Sequence, residues 1–406
     1  MPPEALHLRC RHYRSRQSYK VDLQGGRARA EADDAALGEP SLLIAPVLLD
    51  LQVNGYLGLN FSRPGDLTPE NLAEIASLLH RHGVGLFLPT VITGSREEIL
   101  QSMRLLAAGR REVGLERSIP GFHLEGPYIS SEDGPRGAHR REHARSPSWD
   151  EFLSWQDAAE GLIKIVTLAP ELPGALPFIE NLREEGIIPA IGHTAAGTRE
   201  IAEAVAAGAL LATHLGNGAH AMIRRHPNYI WDQLACDDLW ASFIVDGHHL
   251  SPNVVKVMLR AKGLEKSLLV TDASSVAGLE PGTYQFAGKT VELTPERVVK
   301  LKGTDYLAGA ALSLSEAVAN TSAFTGIDKA TAIDLASLRP KALLEQGTDL
   351  SFDLFDGGTF TLLRWDESEL EVIATVIDRE IRFLDEQAAW TTTDFTAPQG
   401  ASHEPR

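Results

Sequence analysis

Two cysteines in 406 residues, Cys10 and Cys236, stand far apart and without metal-ligand spacing. That scarcity excludes a disulfide-built scaffold and makes a reducing cytoplasm the expected setting. Positive charge is also in short supply: 38 Lys and Arg against 55 Asp and Glu leave a formal net charge of -17. Such a balance argues against nucleic acid or an anionic membrane as a partner. It leaves room for a small anionic substrate, because one local arginine can hold a phosphate inside an acidic protein. No apolar run is long enough to span a bilayer. The opening Met-Pro-Pro-Glu-Ala-Leu-His has no apolar core, so no secretory signal is expected. Low-complexity tracts and residue-level repeats are missing too. What remains is ordinary globular material, 43% hydrophobic and 23% charged.

Short apolar runs alternate with helical patterns from Val47 to about residue 346. Eight strands are predicted: Val47–Val53, Gly85–Ile92, Ile119–Glu125, Ile163–Leu168, Ile188–His193, Leu210–His214, Ala241–Asp246 and Leu268–Asp272. Each is apolar throughout, as strands buried on both faces are. Thr68-Pro69 opens a helix with a capping hydroxyl and a proline at the first helical position. Ser95-Arg-Glu-Glu98 has capping-box spacing, and Thr198–Ala207 and Ser251–Ala261 are further helical segments. The alternation predicts an α/β fold, a closed (βα)8 TIM barrel over 47–346. The two chain ends, 1–46 and 347–386, read as edge strands that combine into one small β-sandwich domain. Phe352–Phe355, Thr359–Trp365 and Leu370–Ile377 are its C-terminal strands, and 387–406 is expected to be a loose tail. Two long connections, Tyr128–Ser148 and Gly278–Leu307, should cover the catalytic face. The second contains a hairpin-like Gly282–Gly288.

Four of the strands end in a residue capable of metal binding or proton transfer. Gly121-Phe-His-Leu-Glu125-Gly-Pro127 places a carboxylate just before a Gly-Pro break; His193, His214 and Asp272 close three later runs. A lone histidine in such a place is more often a hydrogen-bonded core residue, and a lone Asp272 could equally be a helix cap. Together they read differently. A carboxylate beside a buried strand is costly unless it is paired or bound to metal. Glu125, His193 and His214 supply three ligands and leave one position of a zinc-like site open for water. Asp272 can take a proton from that water and hand it to a leaving amine.

The stretch Leu49-Asp-Leu-Gln-Val-Asn-Gly55 at the first strand end completes a set of motifs. They are His-Leu-Glu-Gly-Pro (123–127), Gly-Ala-His (137–139), Ile-Gly-His-Thr (191–194), Thr-His-Leu-Gly-Asn (213–217), Val-Asp-Gly-His-His (245–249), Leu-Val-Thr-Asp-Ala (269–273) and Leu-Ala-Gly (307–309). In this order the chain resembles the N-acetylglucosamine-6-phosphate deacetylase family of the amidohydrolase superfamily, from about Ala45 to Leu344. The resemblance implies removal of acetate from N-acetylglucosamine 6-phosphate. The alternatives are a deacetylase of an unphosphorylated or epimeric sugar and an inactive scaffold of the same fold. Many amidohydrolases carry His-x-His where Gln52-x-Asn54 stands here; neutral amides are poor zinc ligands. The resemblance therefore implies a single divalent ion, zinc being the expected one, with Gln52 and Asn54 bonding substrate or water. It also assigns Asn217, Gly218 and Leu307 to the substrate, Arg225 and His248 to the phosphate, and His139 to sugar hydroxyls or phosphate. Relatives of this kind are commonly homodimers in which a partner subunit often completes the phosphate pocket. Three departures bear on the substrate: Asn217-Gly218-Ala219 replaces the usual Asn-Ala-Met, Arg224 adjoins Arg225, and Ala310 follows Leu-Ala-Gly where serine is usual.

Overall fold

Eight strands pair in parallel in sequence order: Leu48–Val53, Val84–Ile92, Phe122–Glu125, Ile163–Leu168, Ile188–Ile191, Leu211–Ala212, Trp240–Phe243 and Ser267–Leu269. The structure is a computed structural model and describes residues 5–33, 41–304, 306–366, 369–388 and 394–395. Every residue of these strands except Lys164 is buried, which is why the runs show no alternation of polar and apolar positions. The sheet closes through backbone just beyond the last strand. Val53 bridges Ala273 in parallel, Asp272 N donates to Gln52 O (2.9 Å), and Asn54 N donates to Ala273 O (2.8 Å).

A helix follows each strand, making the (βα)8 barrel: Pro69–Arg81, Arg96–Glu112, Trp149–Ala158, Ala175–Glu184, Thr198–Ala207, Tyr229–Ala235, Pro252–Lys262 and Leu314–Thr325. The predicted caps form. Thr68 accepts from Asn71 N, and Ser95 and Glu98 make a reciprocal capping box. Burial of residues such as Phe152 and Trp155 against the sheet stabilises each helix by roughly 1.5–3 kcal/mol per large apolar side chain. Among the described residues no helix is long and apolar enough to cross a membrane.

Both chain ends meet in a second sheet, closed on itself, of Ala5–His12, Ser18–Gln24, Arg27–Ala32, Glu380–Leu384, Leu370–Ile377, Phe360–Trp365 and Leu42–Ala45. Phe352–Phe355 is not a strand; it runs alongside the barrel and accepts bonds from Val47 N at Leu354 O (2.9 Å) and from Arg117 Nη2 at Asp353 O (3.0 Å). Glu380–Leu384 is an additional strand, hidden in the sequence by its Arg and Glu content. Most of the expected tail, 387–406, lies outside the described residues. Within it, Phe395 bridges Leu8, and the carboxylate of Asp394 accepts from Ser41 Oγ (2.9 Å). The connection 278–307 holds three strands, Gly282–Phe286, Lys289–Leu293 and Val299–Leu301, one more than a simple hairpin. Its Phe286 faces the barrel mouth alongside the 128–148 connection.

Candidate active site

At the C-terminal mouth of the barrel, Glu125, His193 and His214 converge, their ligand atoms all within 4.8 Å of one another. Glu125 ends the third strand. His193 and His214 stand two residues past the fifth and sixth strands, and Asp272 stands three past the eighth. These last three have left-handed backbones, with φ of 51°, 31° and 50°. That conformation costs a non-glycine residue about 1–3 kcal/mol and survives only where neighbours impose it. Here they do. His193 O accepts from Ser130 N (3.0 Å), and Asp272 is held between Gln52 O and Ala310 N (2.9 and 3.0 Å). His214 N donates to Ser242 Oγ (2.7 Å). The reversal ends each strand and swings the side chain across the barrel axis.

Glu125 Oε1 lies 3.2 Å from His193 Nε2 and 3.0 Å from His214 Nε2, and the two nitrogens are 3.1 Å apart. His193 Nδ1 faces the carbonyl of Pro135 at 2.8 Å. A carbonyl only accepts, so Nδ1 carries the proton and Nε2 presents a lone pair to the centre. Lone pairs and a carboxylate crowded this closely require positive charge between them. Ligand atoms about 2.0–2.1 Å from a tetrahedral zinc are separated by about 3.3 Å, close to the triangle seen here. The donor set therefore fits one divalent ion. Burial pushes the Glu125 carboxyl up, but positive charge gathered on its imidazole side outweighs burial and holds the group well below its usual range.

Gln52 lies behind the centre, its Nε2 donating to Glu125 Oε1 (2.8 Å) and Asp272 Oδ1 (3.1 Å). Asn54 Nδ2 donates to the same Asp272 oxygen at 2.7 Å. Two neutral amides thus separate two carboxylates by N–H groups. Burial, with the charge of Glu125, pushes Asp272 up to about 6. His139 Nδ1 meets Thr93 Oγ1 at 2.8 Å, and burial lowers its pKa to about 3, so the ring is neutral.

A cavity of about 320 Å³ opens over the centre, and its wall includes Asn54, His139, Asn217, Gly218 and Leu307. Arg225 and His248 are not brought there. Arg225 lies on an exposed loop, its carbonyl accepting from Asn228 Nδ2 (3.2 Å). His248 is exposed and lines a separate cavity of about 180 Å³. Its neighbour His249 takes the place in the wall. The reason is a turn around Asp246, whose Oδ1 accepts from His248 N and His249 N (both 2.8 Å) and whose Oδ2 takes His249 Nδ1 at 2.6 Å. The carboxylate turns the second imidazole inward and the first outward.

Supporting residues escaped the sequence reading. Glu171 accepts from Thr194 Oγ1 (2.5 Å) and Ala195 N (2.6 Å), gripping the segment that follows His193. It closes the fourth strand's Thr-Leu-Ala-Pro-Glu, an apolar run ending in a carboxylate like the others, so a signal was there. His123, under Glu125, bonds Leu51 O (3.1 Å) and Thr167 Oγ1 (2.7 Å). Asp50 takes Thr271 Oγ1 at 2.6 Å and ties the first strand to the eighth below Asp272.

No family model matches the chain. It is 32% identical over 355 residues to the N-acetylglucosamine-6-phosphate deacetylase of Bacillus subtilis, an alignment covering 85% of this chain and 86% of that protein. It is also 32% identical over 302 residues to the N-acetylgalactosamine-6-phosphate deacetylase of Escherichia coli O157:H7, covering 74% and 78% of the two chains. A solved structure of N-acetyl-D-glucosamine-6-phosphate deacetylase from Mycobacterium smegmatis, a variant in complex with N-acetyl-D-glucosamine-6-phosphate, superposes with a TM-score of 0.77 at 26% identity. That match covers 90% of this chain and 94% of the other.

Proposed function

The chain belongs to the N-acetylglucosamine-6-phosphate deacetylase family, and we infer that its barrel-mouth cavity hydrolyses the acetamide of N-acetylglucosamine 6-phosphate to glucosamine 6-phosphate and acetate. The observation that carries this reading is the convergence of Glu125, His193 and His214 within 4.8 Å, with Asp272 in the wall of the same cavity. Those three residues would hold one divalent ion, and we propose zinc. Bound there, such an ion acidifies a water molecule and draws electron density from the acetyl carbonyl.

Asp272 then acts as general base and general acid. One of its oxygens is engaged by Gln52 and Asn54; the other is available to take the proton of the attacking water and return it to the departing amine nitrogen. Gln52 and Asn54 do with N–H groups what a second cation does in sites with two metals, and as neutral amides they offer it no good ligand. His139 and Leu307 are assigned to the sugar, and Asn217, Gly218 and His249 to the phosphate end, with His249 taking the part expected of His248. Arg225 sits beside exposed Met222 and Ile223, and Trp231 is exposed on the following helix. This apolar and basic surface supports a homodimer in which Arg225 serves the phosphate bound by a second copy. A phosphate held at a distance from the amide lets remote binding energy orient the reacting bond. A cytoplasmic setting is proposed on the two free cysteines.

Acetate release decides the matter. The expected order of kcat/KM places N-acetylglucosamine 6-phosphate above its galacto epimer and well above free N-acetylglucosamine. Arg225→Ala should raise KM for the phosphorylated sugar and leave the free sugar unchanged. A phosphate preference that survives this change overturns the role given to Arg225.

A further inference from the structure

Asn54 stands where the first and eighth strands close the barrel, 3% exposed. Its backbone is fixed on both sides, N–H to Ala273 O (2.8 Å) and carbonyl to Phe61 N (3.0 Å). Its side-chain nitrogen donates to Asp272 Oδ1 (2.7 Å) and lies 3.5 Å from Asp272 O. Both neighbours are acceptors, so the amide can only sit with its nitrogen toward Asp272 and its oxygen turned away. That oxygen, Oδ1, is buried without a hydrogen-bond partner among the described residues, in a residue that lines the cavity. An unpaired buried acceptor is costly, and at a binding site it marks the place of an incoming donor.

We propose that Asn54 Oδ1 accepts the N–H of the substrate's acetamide and so selects and orients an amide for cleavage. The inference rests on the deacetylase reading above. Asp272 must reach the amide nitrogen to protonate it, and Asn54, bonded to Asp272, lines the same cavity. The other carboxylate in the wall, Glu125, accepts from Gln52 at Oε1, and the same oxygen faces the two imidazoles. Sugar hydroxyls can donate and accept, and need no such partner; a secondary amide nitrogen has one hydrogen and only donates. As the C–N bond breaks, its electron pair stays on nitrogen, and Asp272 supplies the proton it took from water. The amine leaves with two N–H bonds, one of them held by Asn54 throughout. Nitrogen becomes a stronger donor as it gains that proton, so the contact tightens toward the transition state.

The test uses the full-length, metal-loaded enzyme and two substrates, N-acetylglucosamine 6-phosphate and glucose 6-phosphate acetylated at O2, in which an ester oxygen replaces the N–H. Losing the bond from Asn54 to Asp272 slows both. Losing Oδ1 slows only the amide, so in Asn54→Ala the amide-to-ester ratio of kcat/KM should fall about tenfold or more. Equal losses on the two substrates overturn the proposal and reduce Asn54 to a support for Asp272. If Asn54→Ala does not fold, Asn54→Ser, too short to span both partners, is read in the same way. Wild-type turnover of the amide separates the two levels: without it the functional reading fails and this one with it, whereas normal turnover with an unchanged ratio sinks this one alone.

Discussion

Asp272 lines the cavity with one carboxylate oxygen bonded twice, by Gln52 and Asn54, which leaves the other oxygen for the proton exchange proposed. Asp272→Asn keeps the shape and removes that capacity. Turnover should fall by about 10²–10⁴-fold, with metal content unchanged by elemental analysis, because Asp272 is not one of the three converging ligands. Glu125 was legible in the sequence because a carboxylate before a Gly-Pro break in an apolar run has no cheap explanation. The orphan oxygen of Asn54 was not, since satisfaction of a polar atom depends on what distant residues place around it.

Two loops grip His193 at the level of whole elements. A Cβ built on Gly218 would stand 2.7 Å from His193 Nδ1, and one on Gly137 would stand 3.4 Å from its Cε1. On the Gly218 side the backbone approaches the ring more closely than any residue with a Cβ could, while the Gly137 side is in ordinary contact. Gly218→Ala must push the imidazole aside, and metal affinity measured by chelator competition should drop about 10- to 100-fold, as losses beyond the ligands themselves do. Gly114→Ala is the control: its φ of +66° is similar, but among the described residues nothing lies within 4 Å of the added Cβ. It should cost about 1 kcal/mol in stability and leave metal binding untouched. The strands and capped helices that carry these loops follow from local patterns, which is why their positions were predictable. Phe352–Phe355 misled because apolar content alone cannot distinguish a strand from an extended segment packed on a barrel.

Across the whole molecule, the barrel and the sheet made by the chain ends meet through polar contacts. Tyr13 hydroxyl donates to Asp334 Oδ1 (2.7 Å), and Thr375 Oγ1 donates to His80 O (2.7 Å). The His80 ring is itself buried, with Nε2 3.2 Å from Ser118 Oγ. Burial, helped by the charge of Arg382, lowers its pKa from 6.5 to about 4. Between those values the unfolded chain binds a proton that the folded one refuses. Stability tied to His80 is therefore complete above pH 6.5 and is lost as pH falls toward 4. Thermal unfolding from pH 7 to 4.5 should show a shallower decline in Tm for His80→Gln than for wild type. Equal slopes would show that other groups carry the acid sensitivity.

Local order is what the amino-acid sequence determined unaided: an alternation of buried strands and capped helices, and a polar residue at each strand end that matters. Those features depend on neighbours a few positions away. Only the tertiary structure decided which side chains enter the cavity. The Asp246 turn chose His249 over His248, Arg225 was left on the surface, and the left-handed residues at 193, 214 and 272 were aimed at a common centre. Side-chain direction after a strand end is set by φ and by contacts from remote segments, and neither is written in the spacing of residues along the chain.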